Sequence, residues 1–457
     1  MHEFFVKLRD LRGKRLIADN VYCSWSDVAL SDKAKNKMMT SHEHNWAGNI
    51  TYKAANIHRP KTLTQLRDVV TRSQKLRALG TRHSFNDITE CAGDWVSLEN
   101  LEPTFAIDRA RNTVTVNGNI TYSQLSQQLH HEGFALHNLA SLPHISVAGA
   151  CATATHGSGD ANGNLATAVA ALEIMTATGD LVTFSRATQG EKFAGAVVAL
   201  GGLGLVTKVT LNMEPAFAMQ QEVYEYLPVA QLEENFDAIT ASAYSVSLFT
   251  DWQHDTVNQV WLKRRLADAT PLALAPTFFG AALAPTHRHP VTGRPPAPFT
   301  LQMGLPGPWH ERLPHYRSDH VFVDVDEMQS EYFVPRHHAV AAMRAMAQLS
   351  EPLARVLGIS EVRTIAADAL WLSPCYEQAC VGLHFSWRGD LPAVQKVLPV
   401  LEASLAPFEA RPHWGKLFAM PPAQVQSFYP RLPEFRDLLH TYDPQGKFRN
   451  AFLNRYI

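Results

Sequence analysis

The sequence has few cysteines and no apolar run long enough to cross a lipid bilayer. Its five cysteines are scattered without a Cys-x-x-Cys pair, which is typical of reduced thiols rather than of a disulfide framework. The longest apolar runs, 194–206 and 271–285, are short or interrupted by glycine and proline. Residues 1–15 mix basic and acidic side chains and lack the apolar core of a secretory signal. We therefore predict a cytoplasmic protein that does not associate with membranes.

A strong net charge is also missing. The formal net charge is −2 over 457 residues, which gives no electrostatic reason to expect nucleic acid or an anionic membrane as a partner. Charged residues make up 18% of the chain and hydrophobic residues 46%, as in ordinary globular proteins. The chain is too long for a single hydrophobic core, so we expect two or three domains.

Helix and strand patterns alternate from Asn45 onward, whereas residues 1–44 are polar and weakly patterned. We interpret residues 1–44 as a disordered N-terminal extension or a misassigned start. Two Thr-x-x-Gln sequences, beginning at Thr62 and Thr121, predict capped helix starts. After the first of them, apolar side chains continue at helical spacing as far as Leu76.

Strand patterns accompany these helices. Residues 113–118 alternate between polar and apolar side chains, and residues 173–184 have the pattern of a hairpin with Gly179 near its turn. A stretch rich in proline and histidine, 284–298, predicts a loop in the second half of the chain. Together these patterns predict an α+β fold.

Glycine-rich turns provide the backbone N–H donors that the pyrophosphate of a dinucleotide requires. The glycines of these turns, and the hydroxyl side chains beside them, are Gly80, Gly149, Gly157, Gly159, Ser84, Ser141, Ser146, Thr153 and Ser158. No Gly-x-Gly-x-x-Gly sequence follows a strand with an acidic residue downstream, which argues against a Rossmann site. Residues 201–204 are predicted to form a helix–strand turn, with a backbone contact to the nucleotide near Val206.

One of these turns contains a histidine, His83, just after an apolar segment that stops at Gly80. A single turn histidine is ordinarily a side chain bonded to water or to the backbone. Here it lies in ALGTRHSFN at 78–86, and the chain also contains ASLPHISVAG at 140–149 and TATHGSG at 153–159. The combination resembles the flavin-binding signature of the vanillyl-alcohol-oxidase-type FAD oxidoreductases.

The resemblance extends over nearly the whole chain from Asn45 onward. With DPxxKFxN at 443–450, the set is similar to the alditol (xylitol) oxidases. Three longer sequences also match that family: YSVSLFTDW at 244–252, PGPWHERLP at 306–314 and RPHWGK at 411–416. Such long sequences are far more specific than a single motif.

The resemblance implies a two-domain FAD-binding fold of the vanillyl-alcohol-oxidase/PCMH type, in the α+β class. After the extension at 1–44, we expect an FAD-binding domain at 45–215 and a substrate domain at 216–410 whose sheet covers the flavin. Residues 411–457 are expected to return to the FAD-binding domain.

The resemblance also implies FAD bonded covalently to His83 through the 8α-methyl carbon, a role that suits a neutral, nucleophilic imidazole. Many relatives have glycine at the positions of Arg82 and Ala154, and Arg82 adds a cation beside the attachment point. The implied cofactor-binding residues are Gly80, Thr81, Arg82, His83, Ser84, Ser141, Ser146, Gly149, Thr153, His156, Val206, Ser386 and His413.

Two predicted strands carry polar side chains on one face. One places Glu361 and Arg363 together, and the other places His384 and Ser386 together. In an antiparallel sheet such a face is often exposed to solvent. The resemblance instead implies a substrate site formed by Ser141, Glu361, Arg363, Ser386 and Lys416. This lining suits a polyol, because every hydroxyl needs a partner when it leaves water.

Oxidation of an alcohol requires hydride transfer to the flavin and loss of the hydroxyl proton. We expect Lys416 and Arg363 to stabilise the developing alkoxide. Glu361 is expected to hold or receive the proton, directly or through the Arg–Lys pair. His384 and His413 are expected to support the flavin or to orient neighbouring groups.

The predicted reaction is oxidation of a terminal hydroxyl of an alditol such as xylitol or sorbitol to the aldose, with O2 reduced to H2O2. We expect a monomeric enzyme, with Ala140 lining the side of the flavin that reacts with oxygen. The alternative is an aldonolactone oxidase or dehydrogenase of the gulono- or galactonolactone type, which shares the histidyl-flavin signature.

The chain is rich in histidine, with 21 in total, and this raises a metal-dependent hydrolase as a third alternative. Pairs occur at 130–131, 287/289 and 337–338. Adjacent histidines on a helix point apart, and no His-Glu-x-x-His sequence appears. We therefore predict no metal site and interpret these pairs as solvated surface side chains.

Overall fold

The computed structural model describes residues 44–267, 270–322 and 327–457. Almost all of the predicted N-terminal extension, 1–44, lies outside these ranges, so its interpretation stays a prediction. Within the described residues, no helix is both long enough and apolar enough to cross a membrane.

Short helices and small sheets make up the first half of the chain. Its strands are β1 (Ile57–His58), β2 (Leu76–Ala78), β3 (Asp94–Val96), β4 (Phe105–Asp108), β5 (Thr113–Asn117), β6 (Phe134–Ala135), β7 (Val169–Met175), β8 (Leu181–Ser185), β9 (Leu205–Asn212) and β10 (Glu214–Pro215). Its helices are α1 (Leu63–Arg72), α2 (Tyr122–His131), α3 (Val147–Ala152), α4 (Arg186–Gln189) and α5 (Lys192–Val197).

These strands form three sheets. β1, β3 and β2 pair in parallel, in that order, and β6 pairs with β10. An antiparallel five-stranded sheet has the order β4-β5-β9-β7-β8. The predicted strand at 113–118 is β5, and the predicted hairpin is formed by β7 and β8, so both predictions are confirmed.

The first predicted helix is shorter than its apolar pattern suggested. α1 ends at Arg72, because Ser73 adopts an extended backbone, and Leu76 lies in β2 instead. Leu76 nevertheless packs in one core cluster with Leu66 and Val70 of the helix, which explains the misleading spacing. At α2 the predicted capping box on Thr121 is fully formed.

One large sheet dominates the second half. Its strands are β11 (Ala218–Pro228), β12 (Ser245–Thr250), β13 (Thr256–Leu266), β14 (Thr277–Phe278), β15 (Ala281–Leu283), β16 (Gly307–Pro308), β17 (Glu327–Pro335), β18 (Leu357–Ile365), β19 (Cys380–Arg388) and β20 (Arg411–Pro412). The helices are α6 (Val229–Thr240), α7 (Ala339–Ala347), α8 (Ser350–Ala354), α9 (Leu391–Leu405), α10 (Pro422–Ser427), α11 (Leu432–Tyr442) and α12 (Ala451–Tyr456).

The sheet is antiparallel, with the order β14-β15-β11-β13-β12-β18-β19-β17-β20, and β16 pairs with β11. The two strands predicted to carry polar faces are β18 and β19, which are neighbours in its centre. The predicted loop at 284–298 contains no helix or strand.

The C-terminal segment is bonded to the first half of the chain. Asp443 is fully buried and accepts hydrogen bonds from the backbone N–H groups of Lys447 and Phe448. The Lys447 ammonium donates to the backbone carbonyl of Ala177, and Asn450 donates to three carbonyls of the 87–90 turn. The DPxxKFxN sequence therefore ties residues 443–450 to the first half.

Candidate active site

A cavity of about 370 Å³ lies between the loops of the first half and one face of the large sheet. Every cofactor position predicted from the sequence lines it, from Gly80 and His83 in one loop to His413 beside the sheet. The predicted substrate residues line the same cavity: Ser141, Glu361, Arg363, Ser386 and Lys416. The structure thus brings two residue sets from distant parts of the chain into one site.

The loop that carries His83 follows β2 directly and has an unusual backbone conformation. Arg82 has φ +61°, and Ala154, in the sequence at 153–159, has φ +54°. This left-handed region costs a residue with a side chain about 1–2 kcal/mol. Both residues therefore occupy positions whose backbone conformation favours glycine.

Ser146 links the sequence at 140–149 to the loop at 78–86. A Cβ atom on Gly80 would lie 3.0 Å from Oγ of Ser146, and one on Gly149 would lie 2.7 Å from the same oxygen. The backbone N–H of Ser146 also donates to Oγ1 of Thr81 over 3.2 Å. A side chain at either glycine would therefore require the Ser146 hydroxyl to move.

His83 itself lines the cavity, and its ring lies 4.9 Å from the Trp46 ring, centroid to centroid. Burial, with smaller contributions from His144 and Arg82, lowers the pKa of His83 to about 3. The imidazole is therefore neutral near pH 7. In the described parts of the chain, no group hydrogen-bonds to either ring nitrogen.

A carboxylate that was not predicted from the sequence is the centre of the polar face. Glu331, on β17, is 1% exposed, and its Oε1 accepts from Nε2 of His156 and from Nη2 of Arg363, each over 2.9 Å. Its Oε2 accepts from Nζ of Lys416 over 2.7 Å. Burial would raise the pKa of Glu331, but Lys416, His156 and Arg363 hold it well below its usual range. Glu331 therefore fixes both cations that were predicted to be catalytic.

The strand register explains why these side chains meet. Glu361 of β18 and Glu331 of β17 lie opposite His384, which is on β19 between them. Gly382 lies opposite Arg363, and a Cβ there would come within 3.1 Å of Oε1 of Glu331. The missing side chain at Gly382 leaves room for the ion pair between Arg363 and Glu331.

Glu361 has a second set of partners. Its Oε1 lies 2.7 Å from Nε2 of His315, and its Oε2 lies 3.5 Å from Nε of Arg363. Nδ1 of His315 in turn lies 3.1 Å from Nζ of Lys263. Burial opposes ionisation of Glu361, but Arg363 and His315 hold its pKa well below its usual range. Glu361 is therefore ionised.

Three of the five predicted substrate residues are withdrawn from bulk water. Glu361, Arg363 and Ser386 are all buried, so the alternative of a solvent-exposed strand face is wrong. Nη1 of Arg363 donates to Oγ of Ser141 over 3.2 Å, and Oγ of Ser386 donates to Oε1 of Glu327 over 2.9 Å.

Three buried nitrogens of cavity-lining residues have no hydrogen-bond partner within the described residues: Nε of Arg77, Nε of Arg363 and Nδ1 of His384. Burial, with a smaller contribution from Lys416, lowers the pKa of His384 and of His413 well below the usual range. Both histidines are therefore neutral. The open nitrogens fit a cavity that binds a polar ligand.

The paired histidines do not form a metal site in the described ranges, where no group of three or more His, Cys, Asp or Glu side chains could hold an ion. The interpretation of solvated side chains is wrong for His287 and His289. Their Nδ1 atoms accept hydrogen bonds from the backbone N–H groups of Gln302 and Val291, respectively, and both side chains are half-buried. They stabilise the 284–298 loop.

Comparison with known proteins identifies the family. The FAD binding domain family matches residues 54–185, and the D-arabinono-1,4-lactone oxidase family matches residues 316–456. An alditol oxidase from a Streptomyces species is 46% identical over 419 residues, which cover 91% of this chain and 99% of the relative. The chain belongs to the alditol oxidase family. It is therefore a flavin-dependent oxidoreductase, as predicted.

One more distant relative and one solved structure match most of the chain at lower identity. The L-gulono-1,4-lactone dehydrogenase of Mycobacterium tuberculosis is 26% identical over 90% of this chain and 98% of the relative. A mutant cholesterol oxidase from Brevibacterium sterolicum matches with a TM-score of 0.72 at 14% identity, over 90% of this chain and 96% of that one. This likeness confirms the predicted fold class.

Proposed function

We propose that this member of the alditol oxidase family oxidises a terminal hydroxyl of an alditol such as xylitol or sorbitol. The alcohol loses two electrons and two protons to become the aldose, and O2 takes them up to become H2O2. The observation that carries the proposal is one cavity lined both by His83 and by the buried polar set on the sheet. Polyol hydroxyls require such a lining, because each must exchange water for a protein partner.

We propose that FAD is the cofactor at this site and that it is bonded covalently to His83. The backbone N–H groups of Thr81, His83 and Ser84 donate to no group in the parts of the chain that are described, which suits a wall that binds a pyrophosphate. The neutral, unbonded imidazole of His83 suits covalent attachment. When bound, the flavin supplies the two-electron chemistry and the reaction with O2.

The side chains of the sheet would orient and activate the alcohol. Lys416 and Arg363 are held at the cavity wall by Glu331, and their remaining N–H groups would donate to the developing alkoxide. Oε2 of Glu361 accepts the hydroxyl hydrogen bond and receives the proton. An alcohol proton is too weakly acidic for a carboxylate to remove until the hydride leaves the carbon, so the two departures accompany each other.

The second candidate function is lactone oxidation, which the match of residues 316–456 to a lactone oxidase family favours. Steady-state kinetics with xylitol, sorbitol, L-gulono-1,4-lactone and L-galactono-1,4-lactone separate the two. We expect kcat/KM for the best alditol to exceed that for either lactone by at least about tenfold, because a lactone cannot occupy every hydroxyl partner. Peroxide should form in proportion to the aldose. A preference for a lactone would refute the alditol proposal.

Oxygen as the electron acceptor is part of this proposal, and Ala140, which lines the cavity, is proposed to lie on the side of the flavin that reacts with oxygen. The domain boundaries, the cytoplasmic location and the monomeric state remain predictions from the sequence.

A further inference from the structure

A buried lysine lies behind Glu361, outside the cavity lining. Lys263, on β13, is 1% exposed. Its Nζ donates to the backbone carbonyls of Leu313 and Pro314 and lies 3.1 Å from Nδ1 of His315. An ammonium group has three N–H donors, and these three partners use all of them. A charged Lys263 therefore requires Nδ1 of His315 to be an acceptor.

That requirement fixes the proton of His315 on Nε2. Nε2 then donates to Oε1 of Glu361 over 2.7 Å. The imidazole cannot turn away, because its ring packs edge-on against Trp261 and Phe249 at centroid distances of 5.2 and 5.5 Å. The backbone of His315 is also fixed, because its N–H donates to the Ser141 carbonyl over 3.0 Å.

We propose that Lys263 and His315 are positioning residues of the active site that act through Glu361. Lys263 sets the tautomer of His315, and His315 holds one oxygen of the Glu361 carboxylate. The other oxygen, Oε2, is then presented to the substrate hydroxyl. This inference rests on the proposed role of Glu361.

A relay of the substrate proton to Lys263 does not fit this geometry. Nε2 of His315 already carries a proton, and the N–H groups of a charged Lys263 end on backbone carbonyls, which cannot pass a proton on. The arrangement suits orientation, in the way that groups behind a metal ligand fix its ring and tautomer.

The chain of contacts also predicts a dependence on pH. The charged groups that face Lys263 and His315 are Glu361, Arg363 and Arg312. Burial, opposed by Glu361, lowers the pKa of Lys263 to about 7, and burial together with Lys263 lowers the pKa of His315 to about 4. When pH rises through the lysine pKa, the proton that fixes the tautomer is lost. We therefore expect kcat/KM to fall as pH rises past neutrality.

Lys263→Met tests the proposal, because methionine keeps the apolar stem and removes Nζ. We expect kcat per bound flavin to fall about 10–100-fold, and the decline above neutral pH to disappear. Stability should fall, because the Leu313 and Pro314 carbonyls and Nδ1 of His315 lose a buried donor, so the rates are expressed per folded, flavin-containing protein. The matched control is Lys208→Met, which removes a lysine of β9 that is paired with Glu173 over 3.2 Å; it should leave kcat and the pH profile unaltered.

His315 supplies a second variant. In His315→Gln the amide N–H can donate to Glu361 and the amide oxygen can accept from Lys263, whereas His315→Leu can do neither. We expect the glutamine variant to retain more activity than the leucine variant. Combining Lys263→Met with His315→Leu should cost no more than His315→Leu alone, because the two residues act in series.

All rates are measured with whichever of xylitol or L-gulono-1,4-lactone reduces the flavin of the unsubstituted protein. If the alditol proposal is wrong, the unsubstituted protein will show it by reacting with the lactone instead of xylitol. The ratio of each variant's rate to the rate of the unsubstituted protein tests the positioning role in either case. Wild-type kcat and pH profile in Lys263→Met would overturn the positioning role. The positioning role would also be overturned if the activity of Lys263→Met fell only in proportion to its flavin content or to its folded fraction.

Discussion

Replacing His83 with alanine is expected to remove the flavin that stays with the protein after acid precipitation. The neutral imidazole lines the cavity without a hydrogen bond from the described residues, so the side chain is available for a covalent link. Alanine has no nucleophilic atom. The unsubstituted protein should give a yellow pellet with nearly all of its flavin, and His83→Ala should release all of its flavin into the supernatant.

His144→Ala is the matched control for this experiment. His144 lies close enough to His83 to influence its pKa, but its Nε2 is bonded to the Ser318 carbonyl over 3.0 Å. The pellet of this variant should keep its flavin. If the unsubstituted protein released its flavin on precipitation, the covalent link to His83 would be refuted.

Glu331→Gln is expected to have the largest effect on stability. The carboxylate is buried among Lys416, Arg363 and His156, and its loss removes the carboxylate paired with Lys416 and leaves the more distant Glu361 to pair with Arg363. Breaking a buried ion pair in this way costs about 3–5 kcal/mol. We expect the free energy of unfolding in denaturant to fall by this amount. We also expect kcat to fall, since Lys416 and Arg363 lose the group that orients them.

Glu402→Gln is the control for a buried glutamate outside the site. Burial raises the pKa of Glu402, and its Oε1 accepts from the Tyr332 hydroxyl and the Ala419 backbone N–H, each over 2.7 Å. A glutamine oxygen can accept both bonds, so little change is expected. Equal losses of stability in Glu331→Gln and Glu402→Gln would contradict the central role given to Glu331.

Local patterns predicted much of the fold because they report on local structure. The alternation at 113–118 and the hairpin pattern at 173–184 became β5 and the β7–β8 pair. The pattern failed at Leu76, where helix and strand bury their apolar side chains in the same core. Spacing alone cannot show where a helix ends when the next strand continues its apolar face.

The predicted site residues came from resemblance, and their meeting in one cavity required the structure. Glu331 was missed because it lies in an otherwise buried strand, where only its charge distinguishes it. Lys263 on β13 was also missed, because Arg264 and Arg265 follow it and its charge alone does not distinguish it. A charged side chain inside a buried strand was the available signal, since such a group needs a partner. Which partner it finds depends on strand order and register, which no local pattern encodes.

Mixing the purified protein with xylitol in the absence of oxygen tests most directly whether a bound flavin and the polar sheet face form one site for an alditol. We expect the visible absorbance of the oxidised flavin to disappear, and to return with release of H2O2 when oxygen is admitted. A flavin that stays oxidised with xylitol but is reduced by L-gulono-1,4-lactone would contradict the proposed function.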